Sequence, residues 1–585
     1  MSNLPPSVRR QNWGDIILMA VMVFIITYAV LLNYTWHLGS NWGRFSDHLP
    51  YFIDALIDLS IYRSTSEWHH YWQSISEHHV DFVVHITLPL VAALYLAFIV
   101  GRSFYYPGGQ DRLRHISGAR LYFYLTAAKH AKAQLKQELS EQHQQGLNIH
   151  PDIAISRARE SGNVAVFGAQ GTGKTMSIIP MMQQVIDRGE RVFIYDEKRE
   201  FTSLFYSSTN CILIAPWDAR GQEWDISADA NNATRAQLIA ENLIVDSNDP
   251  LWSNGARLIL VGMIEILNRT TSTWGWADLA QILSLDEISL NKQLTQHYPR
   301  AARFIVENSK TTQSFFAQLL GSLGWIFTLA NAWPKAYENG FSINQWVEQV
   351  DTDKPIILVQ ADKRYKDIGA PIANTLIALM TANILSQSNN SKRELWLFID
   401  ELGNLPRNDA LMEWMSLGRS KGCRIVMGTQ SISQLKQLYT DHGADTLLNM
   451  FTLFISMRLG ASGETAHYTA KAFGEREVER PSNTTSGQVN WQHDTQPLVT
   501  PSDLVQLPQA SSKGVEGYLL IPSYQAVYRL RWPIAMLPNK ASEHCPASWL
   551  SDTVKPVVIS TDKTPTRREQ LQARRLEHAI NECDK

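Results

Sequence analysis

The stretch VAVFGAQGTGKT, residues 164–175, constrains the fold more than any other part of this sequence. Its four apolar residues predict a buried strand, and Gly168 and Gly173 then occupy the glycine positions of the pattern GxxxxGK[ST]. Such glycines let successive backbone N–H groups turn inward around phosphate oxygens, and a helix expected from Lys174 adds its positive end. The sequence therefore predicts a strand, a phosphate-binding loop and a helix, with a nucleotide held by Gly168, Ala169, Gln170, Gly171, Thr172, Gly173, Lys174 and Thr175.

The nucleotide predicted for this loop is ATP with Mg²⁺ as its partner. Lys174 should reach the β- and γ-phosphates, and the Thr175 hydroxyl should ligate Mg²⁺. A carboxylate ligand is also required, and LWLFIDELGNLP provides an apolar strand that ends in Asp400 and Glu401. Asp400 is predicted to hold Mg²⁺, directly or through water, and Glu401 to polarise the attacking water as a general base.

Two further elements are candidates for completing a hydrolysis site. Gln430, in IVMGTQS, follows the next predicted strand, where an amide can orient water and sense the γ-phosphate. LGRSKGCR places Arg419 on the turn before that strand, where a cation can reach a neighbouring subunit's nucleotide and stabilise transition-state charge. Lys421 and Arg424 are alternatives for this role, and an ordinary solvated turn is a third interpretation.

Short apolar runs alternate with helical stretches beyond residue 150, which predicts an α/β fold. The runs are apolar almost throughout, as expected for parallel strands covered by helices on both faces. Between about residues 231 and 347 the strand signals vanish and helix-like spacing replaces them. The predicted strands are Val164–Phe167, Val192–Tyr195, Ile212–Ile214, Ile356–Val359, Leu395–Ile399, Ile425–Met427 and Leu453–Met457.

Two apolar runs near the N-terminus, residues 16–32 and 82–100, predict membrane-spanning helices. The first lacks a clear cleavage site and is long for a signal peptide. Basic residues flank the pair on its outer sides, whereas the intervening segment is mainly acidic. By the positive-inside rule both ends are cytoplasmic and residues of about 37–79 form a small external loop. The paired histidines of that loop are interpreted as surface polar residues rather than metal ligands.

Composition limits where a nucleic acid can bind. The formal net charge is −3, so any basic surface must be local. The four cysteines include no CxxC pair, which argues against a zinc ribbon or a disulfide scaffold.

With these motifs identified, the chain resembles the type IV secretion coupling proteins, in particular the conjugative TraD type. The resemblance extends from about residue 10 to 535 and includes the two N-terminal spans. The motifs that carry it are YDEKREF (195–201), PWDARGQEWD (216–225), DPLWSNGARLIL (249–260), DELGNLP (400–406), GRSKG (418–422), QSISQLKQLYT (430–440) and SDLVQLP (502–508).

This resemblance implies a RecA-like P-loop motor domain, related to the FtsK and HerA translocases, with a parallel central sheet and an inserted all-α domain. The expected organisation is a membrane anchor at 1–110 (helices of about 16–36 and 81–101), a first part of the motor at 111–230, the insertion at 231–347, a second part of the motor at 348–540 and a mixed-charge tail at 541–585.

The resemblance also implies a DNA-dependent ATPase in the bacterial inner membrane, with most of its chain cytoplasmic. Such a protein couples a relaxase-bound strand, the relaxosome, to a type IV secretion channel and pumps single-stranded DNA without sequence preference, as a homo-hexamer. Carried over to this chain, Lys174, Glu401, Gln430 and Arg419 are catalytic, and Thr175 and Asp400 bind metal.

Other family positions can also be compared with this sequence. Asp196 is expected near the nucleotide, and Arg199 stands where many relatives carry glycine, so the shape of that turn is open. Asp218 and Arg220 resemble a structural or inter-subunit pair, with a weak surface salt bridge as the alternative.

Two other functions and several DNA contacts stay open from the sequence. The alternatives are a chromosomal translocase of the FtsK or HerA kind and a membrane scaffold that binds nucleotide without turnover. Candidate DNA-contacting loops are ADKRYK (361–366) with Lys363, Arg364 and Lys366, and residues 475–480 with the polar loop 482–487. For both segments a solvated turn is the favoured interpretation over a DNA contact, and the tail is interpreted as a partner-binding or an inert segment.

Overall fold

The computed structural model describes residues 13–36, 44–62, 64–103, 114–140, 144–247, 249–349, 351–389, 393–461, 463–483 and 489–550. The chain divides into two compact units. The first consists of residues 1–118 with 475–496, and the second of residues 119–474 with 497–585.

The described part of the first unit is mainly helical. Its long helices α1 and α4 pack in opposite directions, because Gly101 lies against Ala20 whereas Trp36 contacts Phe82 at the other end. The segment predicted as an external loop is itself largely helical. The elements are α1 (Trp13–Trp36), α2 (Phe45–Ile57), a π-helical turn (Asp58–Tyr62), α3 (Ser66–Ser74), α4 (His79–Ser103), β1 (Arg114–Gly118), β12 (Glu475–Asn483) and β13 (Val489–Pro497).

Three helices of the described chain are long and apolar enough to cross a membrane, or up to four if a bent pair at 310–332 counts as one span. Two of them, Ile16–Trp36 and Ser76–Ser103, match the predicted spans, and only 6% and 17% of their apolar windows are buried. The third, Asp367–Ser386, is 83% buried within the second unit. Its apolar side chains therefore belong to a protein core, whereas those of the first two face outward as a membrane anchor requires.

Strand β12 lies between β1 and β13 in a three-stranded sheet and runs antiparallel to β1. Residues 475–480, a candidate DNA-contacting turn, are thus part of a strand. Residues 484–487 of the neighbouring polar loop lie outside the described residues.

A ten-stranded sheet forms the centre of the second unit, in the order β2-β15-β14-β11-β5-β10-β9-β6-β8-β7. The seven strands from β11 to β7 are parallel and buried, which confirms the predicted parallel sheet. The sheet becomes mixed beyond β11, where β14 runs antiparallel to β11 and to β15. The strands of this unit are β2 (Arg120–Phe123), β3 (Gln145–His150), β4 (Ile153–Ser156), β5 (Val164–Phe167), β6 (Arg191–Asp196), β7 (Cys211–Ile214), β8 (Ile356–Gln360), β9 (Leu395–Ile399), β10 (Cys423–Thr429), β11 (Leu453–Ser456), β14 (Val515–Ile521) and β15 (Ala526–Trp532).

Helices cover this sheet and form an inserted region between β7 and β8. They are α5 (Tyr124–Ser140), α6 (Arg157–Glu160), α7 (Lys174–Asp187), α8 (Glu200–Phe205), α9 (Ile226–Asp229), α10 (Ala233–Leu243), α11 (Pro250–Thr270), α12 (Trp276–Leu283), α13 (Glu287–His297), α14 (Pro299–Ala302), α15 (Lys310–Leu323), α16 (Ile326–Ala332), α17 (Ile343–Glu348), α18 (Lys366–Ser386), α19 (Asp409–Leu417), α20 (Ile432–Asn449), α21 (Glu464–Phe473) and α22 (Pro501–Val505).

A buried carboxylate, Asp229, joins the two ends of the inserted region. It accepts hydrogen bonds from the Ser342 hydroxyl (2.6 Å) and from the backbone N–H groups of Ile343 (3.0 Å) and Asn344 (3.1 Å). The indole of Trp224 donates a fourth bond at 2.8 Å. Burial raises the pKa of Asp229, and these donors oppose that effect by stabilising the charged form.

Candidate nucleotide-binding site

The loop between β5 and α7 has the backbone of a phosphate cradle. Gly171 and Gly173 have φ angles of 71° and 84°, in the left-handed region that glycine adopts readily. A Cβ atom at Gly173 would lie 2.5 Å from Val515, whereas the space beside Gly171 is open. The loop is attached on both sides, since the Gly168 N–H donates to the Thr429 carbonyl (3.2 Å) and the Ala169 N–H to the Arg458 carbonyl (3.0 Å).

The acidic pair lies directly beside this loop, as expected from its position at the end of a neighbouring parallel strand. The buried Lys174 ammonium donates to Glu401 Oε2 at 2.7 Å. Thr175 Oγ1 donates to Asp400 Oδ1 at 3.3 Å, and Lys198 Nζ lies 3.5 Å from Asp400 Oδ2. Two cations and two carboxylates therefore neutralise one another at the point where the loop and the acidic strand end meet.

Gln430 lies at the same edge and contacts the acidic pair through its backbone. Its N–H donates to Glu401 Oε1 at 3.2 Å. Glu401 is thus held at both carboxylate oxygens, one by Lys174 and one by the Gln430 backbone. These two bonds orient the carboxylate at the end of β10, where Gln430 follows the strand.

The three candidate cations around the GRSKG turn have different environments. Arg424 is buried and forms ion pairs with Glu394 and Glu160, so it is not available to a neighbouring subunit. Lys421 donates to the Gln387 carbonyl. Arg419 is exposed and makes no ion pair with any described residue. All three lie at the amino end of β10, so they are at the opposite edge of the sheet from the phosphate loop.

Asp196 ends β6 at the carboxyl edge and is fully buried. It accepts hydrogen bonds from the Thr202 N–H (2.6 Å) and the Thr202 hydroxyl (2.8 Å). Burial is the main cause that raises the pKa of Asp196 to about 6. The carboxylate thus closes the turn into α8, beside the acidic pair, and burial together with Asp400 raises the pKa of Glu200 in the same turn.

The backbone and side chain of Arg199 show the shape of this turn, where many relatives are expected to carry glycine. Its φ of 63° lies in the left-handed region, which glycine adopts without steric cost and arginine does not. Its guanidinium forms an ion pair with the buried Asp362, which also binds Arg364 at 2.8 Å. The turn therefore has a shape suited to glycine, and this chain stabilises it with an ion pair.

Asp218 and Arg220 form a pair within the chain. Arg220 donates from Nε (2.8 Å) and Nη2 (2.7 Å) to the buried Asp218, which also accepts from the Cys545 N–H at 3.1 Å. These donors lower the pKa of Asp218 despite its burial. The pair thus holds the segment 541–550, which was expected to begin the tail and instead packs on the second unit.

An apolar cavity of about 360 Å³ lies beside the phosphate loop. Met176 and Ile179 of α7 form one wall, and Trp532 and Met536 form another. Trp532 is the partner of Val515 in the β14–β15 ladder, and Val515 touches Gly173. Sequence reasoning missed these residues, because only the tertiary fold brings the β14–β15 hairpin to the loop.

The residues of the loop and of the acidic pair fit a magnesium nucleotide. The cradle leaves room because its glycines carry no side chains, and a lysine and a hydroxyl lie at its end. Mg²⁺ is commonly bound by one or two protein oxygen ligands together with phosphates and water. Thr175 and Asp400 supply such a set, whereas the described residues contain no cluster of three or more His, Cys, Asp or Glu side chains suited to a metal.

A parallel sheet with a phosphate loop and an acidic pair at one edge, and a helical region inserted between two strands, defines a RecA-like P-loop protein. The model of the type IV secretion-system coupling protein DNA-binding domain matches residues 147–533. The chain belongs to this family, which confirms the resemblance stated from its motifs.

Individual relatives are distant in sequence. Coupling protein TraD of Escherichia coli (strain K12) is 24% identical over 410 residues, 68% of this chain, and the chain spans only 56% of that relative. Plasmid coupling protein TrwB in complex with ADP and Mg²⁺ matches with a TM-score of 0.61 and 21% identity over 75% of this chain and 99% of that one. TrwB with the GTP analogue GDPNP matches with the same TM-score, 22% identity and the same coverage. These likenesses establish the fold.

Proposed function

We propose that this protein is the membrane-anchored ATPase of a conjugation system, which couples a relaxosome to a type IV secretion channel and pumps single-stranded DNA. Family membership supports this proposal, and the observation that carries it is the contact of Lys174 with Glu401. A phosphate-binding cation and a candidate general base meet there at one sheet edge. The proposed form is a homo-hexamer in the bacterial inner membrane with two spanning helices.

The contacts of the site suggest how nucleotide binding prepares hydrolysis. Bound MgATP supplies a γ-phosphoryl group that water can attack, and Thr175 with Asp400 would hold its magnesium. Lys174 must exchange Glu401 for phosphate oxygens. Glu401 then loses its cation while Oε1 keeps the bond from the Gln430 N–H, so the carboxylate is free to accept a proton from water.

Phosphate release by the full-length protein tests the enzymatic part. With ATP, Mg²⁺ and single-stranded DNA we expect turnover that DNA stimulates and that Lys174→Ala abolishes. Glu401→Gln should still bind nucleotide but should not hydrolyse it. Binding without turnover in the wild-type protein would instead support the scaffold alternative.

Arg419 is the proposed trans-acting arginine because it is exposed and forms no ion pair with the part of the chain that the structure describes. Its position at the sheet edge opposite the phosphate loop favours action on a neighbouring subunit's nucleotide. Mixing Arg419→Ala with Lys174→Ala subunits tests this. Each variant alone should be inactive, and a mixture should regain activity because some interfaces then combine an intact loop with an intact arginine. No recovery in verified mixed rings would exclude the role.

The apolar cavity beside α7 is proposed to hold the nucleobase. Most of its lining side chains are apolar, and two of its polar ones are engaged within the chain, Gln184 with the Asn148 backbone and His150 with the Arg531 carbonyl. Such a lining offers little to distinguish adenine from guanine. We therefore expect ATP and GTP to bind within a few-fold of each other, which competition binding measures, and a strong preference for one would contradict this placement.

The DNA contacts are proposed for residues 361–366, where Lys363 is exposed and Arg364 forms an ion pair with Asp362. DNA binding through contacts to phosphates should weaken with salt and should not depend on base sequence.

A mating assay with the gene deleted separates conjugation from the chromosomal alternative. Loss of transfer supports the proposal, and normal transfer with a chromosome-segregation defect would favour an FtsK- or HerA-like role.

A further inference from the structure

Helix α2 carries an apolar flank that the described residues leave uncovered. Leu49, Ile53, Leu56 and Ile57 are 42–64% exposed, although the helix also has a separate packed face that includes His48 and Ala55. At about 100° per residue these four side chains lie together on one side of the helix, next to the packed face. A contiguous exposed apolar flank indicates a surface that contacts something other than water.

An acidic flank lies on the other side of the same helix. Asp47 and Asp54 belong to it, and Asp58 continues it into the π-helical turn. Asp47 accepts from the Arg44 N–H at 3.0 Å, and Asp58 accepts from the Ser66 hydroxyl at 3.1 Å. The helix is therefore divided into a packed face, an apolar flank and an acidic flank, as in helices that lie at a membrane surface.

The packed face places α2 at the ends of the two candidate spans. Trp36, the last residue of α1, contacts Phe45 with ring centroids 5.1 Å apart, and Phe82 of α4 contacts Phe52 at 5.8 Å. Trp36 and Phe82 also contact each other. Because two points seven residues apart on α2 touch side chains at one level of the bundle, α2 crosses the span ends instead of continuing along them.

The level of this contact coincides with the end of the outward-facing apolar surface of the spans. Tyr34 is the last such residue of α1, at 69% exposure, and Val80 is the first of α4, at 76%. Trp36 lies about 3 Å beyond Tyr34 along the helix axis. Helix α2 thus lies at the end of the exposed apolar surface of the two candidate spans, and its apolar flank continues that surface.

We propose that α2 is an interfacial helix, with Leu49, Ile53, Leu56 and Ile57 in the outer boundary layer of the bilayer and the acidic flank in water. This inference rests on the two-span anchor of the proposed function. Interfacial helices bury their apolar face by about 5–10 Å into the headgroup and acyl boundary. The anchor would then contact the lipid through three helices, α1, α4 and α2, and α2 would limit the rotation and tilt of the two spans.

Site-specific fluorescence in vesicles tests the placement. The full-length protein, with Cys545 and Cys583 changed to serine and the buried Cys211 and Cys423 kept, receives one new cysteine: Ile53→Cys, Leu56→Cys or the matched control Asp54→Cys. Each is labelled with a polarity-sensitive fluorophore and reconstituted in vesicles of phosphatidylethanolamine and phosphatidylglycerol that contain a shallow nitroxide lipid. We expect several-fold stronger quenching at positions 53 and 56 than at 54.

Two results would overturn the proposal. Equal quenching at all three positions shows that the flanks do not differ in lipid contact. Absent quenching at position 53, with disulfide formation between copies when the unlabelled Ile53→Cys protein is oxidised, shows that protein covers the flank. Labelling of Asp54→Cys by a membrane-impermeant maleimide in intact cells tests the anchor separately. Unlabelled cells would refute the two-span topology and this proposal with it, whereas labelled cells with equal quenching would refute only the interfacial placement.

Discussion

Replacing Glu401 by glutamine should strengthen ATP binding while it removes hydrolysis. In the structure Lys174 donates to Glu401 at 2.7 Å, and both side chains are buried, at 6% and 5% exposure. ATP must break this contact before Lys174 can bind phosphate. Glutamine retains a hydrogen-bond acceptor for Lys174 but lacks the negative charge. The substitution therefore also removes a carboxylate that would repel the incoming phosphates.

The size of the effect follows from the strength of that contact. A hydrogen bond to a charged group is worth about 1.5–3 kcal/mol, roughly twice the value for a neutral acceptor. Glu401→Gln should therefore release about 1–2 kcal/mol of competition, which lowers the Kd for ATP by about 5–30-fold. Loss of the general base should reduce the hydrolysis rate by about 10²–10⁴-fold.

Equilibrium binding of a fluorescent ATP analogue, with phosphate release measured on the same preparations, checks both numbers. Asp400→Asn is the matched control. It removes charge one residue away but also a proposed magnesium ligand, so it should weaken binding in the presence of Mg²⁺. Unchanged or weaker binding by Glu401→Gln would show that Lys174 does not have to leave Glu401, and the exchange would be wrong.

Three further predictions concern the stability of this region. Gly171→Ala should destabilise the protein by about 1–2 kcal/mol, because alanine is strained in the left-handed backbone conformation of this residue. Gly173→Ala should destabilise it more, because the added Cβ also meets Val515. Thermal denaturation compares the two variants, and equal losses of stability would contradict this difference. The pKa of Asp196 in the folded state is raised to about 6 from 3.8, so the folded state binds one more proton than the unfolded state between these values. The stability that this group contributes is therefore present below about pH 4 and is lost as the pH rises to about 6. Asp196→Asn should remove this pH dependence in denaturation measured at several pH values, and an unchanged slope would contradict the shift. Asp218→Ala should release the segment 541–550, so limited proteolysis should cut there faster than in the wild-type protein, and equal rates would show that other contacts hold it.

Much of the site could be predicted from sequence because its parts are local. The phosphate loop has its own pattern, and the acidic pair follows a strand that is apolar throughout. Carboxyl ends of parallel strands share one edge of a sheet, so Lys174 and Glu401 were expected to meet, and the distance of 2.7 Å confirms that they do. The parallel sheet was equally accessible, since strands buried on both faces contain little but apolar residues.

The parts that could not be predicted depend on contacts between distant segments. Strand β14 contains Glu516 within an apolar run, and Arg529 and Arg531 of β15 form ion pairs with it. A single strand cannot reveal such cross-strand pairing, so the hairpin beside the phosphate loop was missed. Likewise, Arg419 and Arg424 lie near the same turn and look alike in sequence. Arg424 differs because it is buried in an ion pair with Glu394, a residue 30 positions earlier in the chain.

The contacts of Asp229 have a consequence for how this sheet can vary among proteins. One carboxylate gathers the beginning and the end of the inserted region, and Trp224 and Phe341 form a β-bridge beside it. The two breakpoints are therefore neighbours, so the inserted region leaves and re-enters the sheet at one junction. Helix α10 of this region packs on α18 and shares its buried core. A transplanted region from another coupling protein should therefore be tolerated at this junction when it also covers α18.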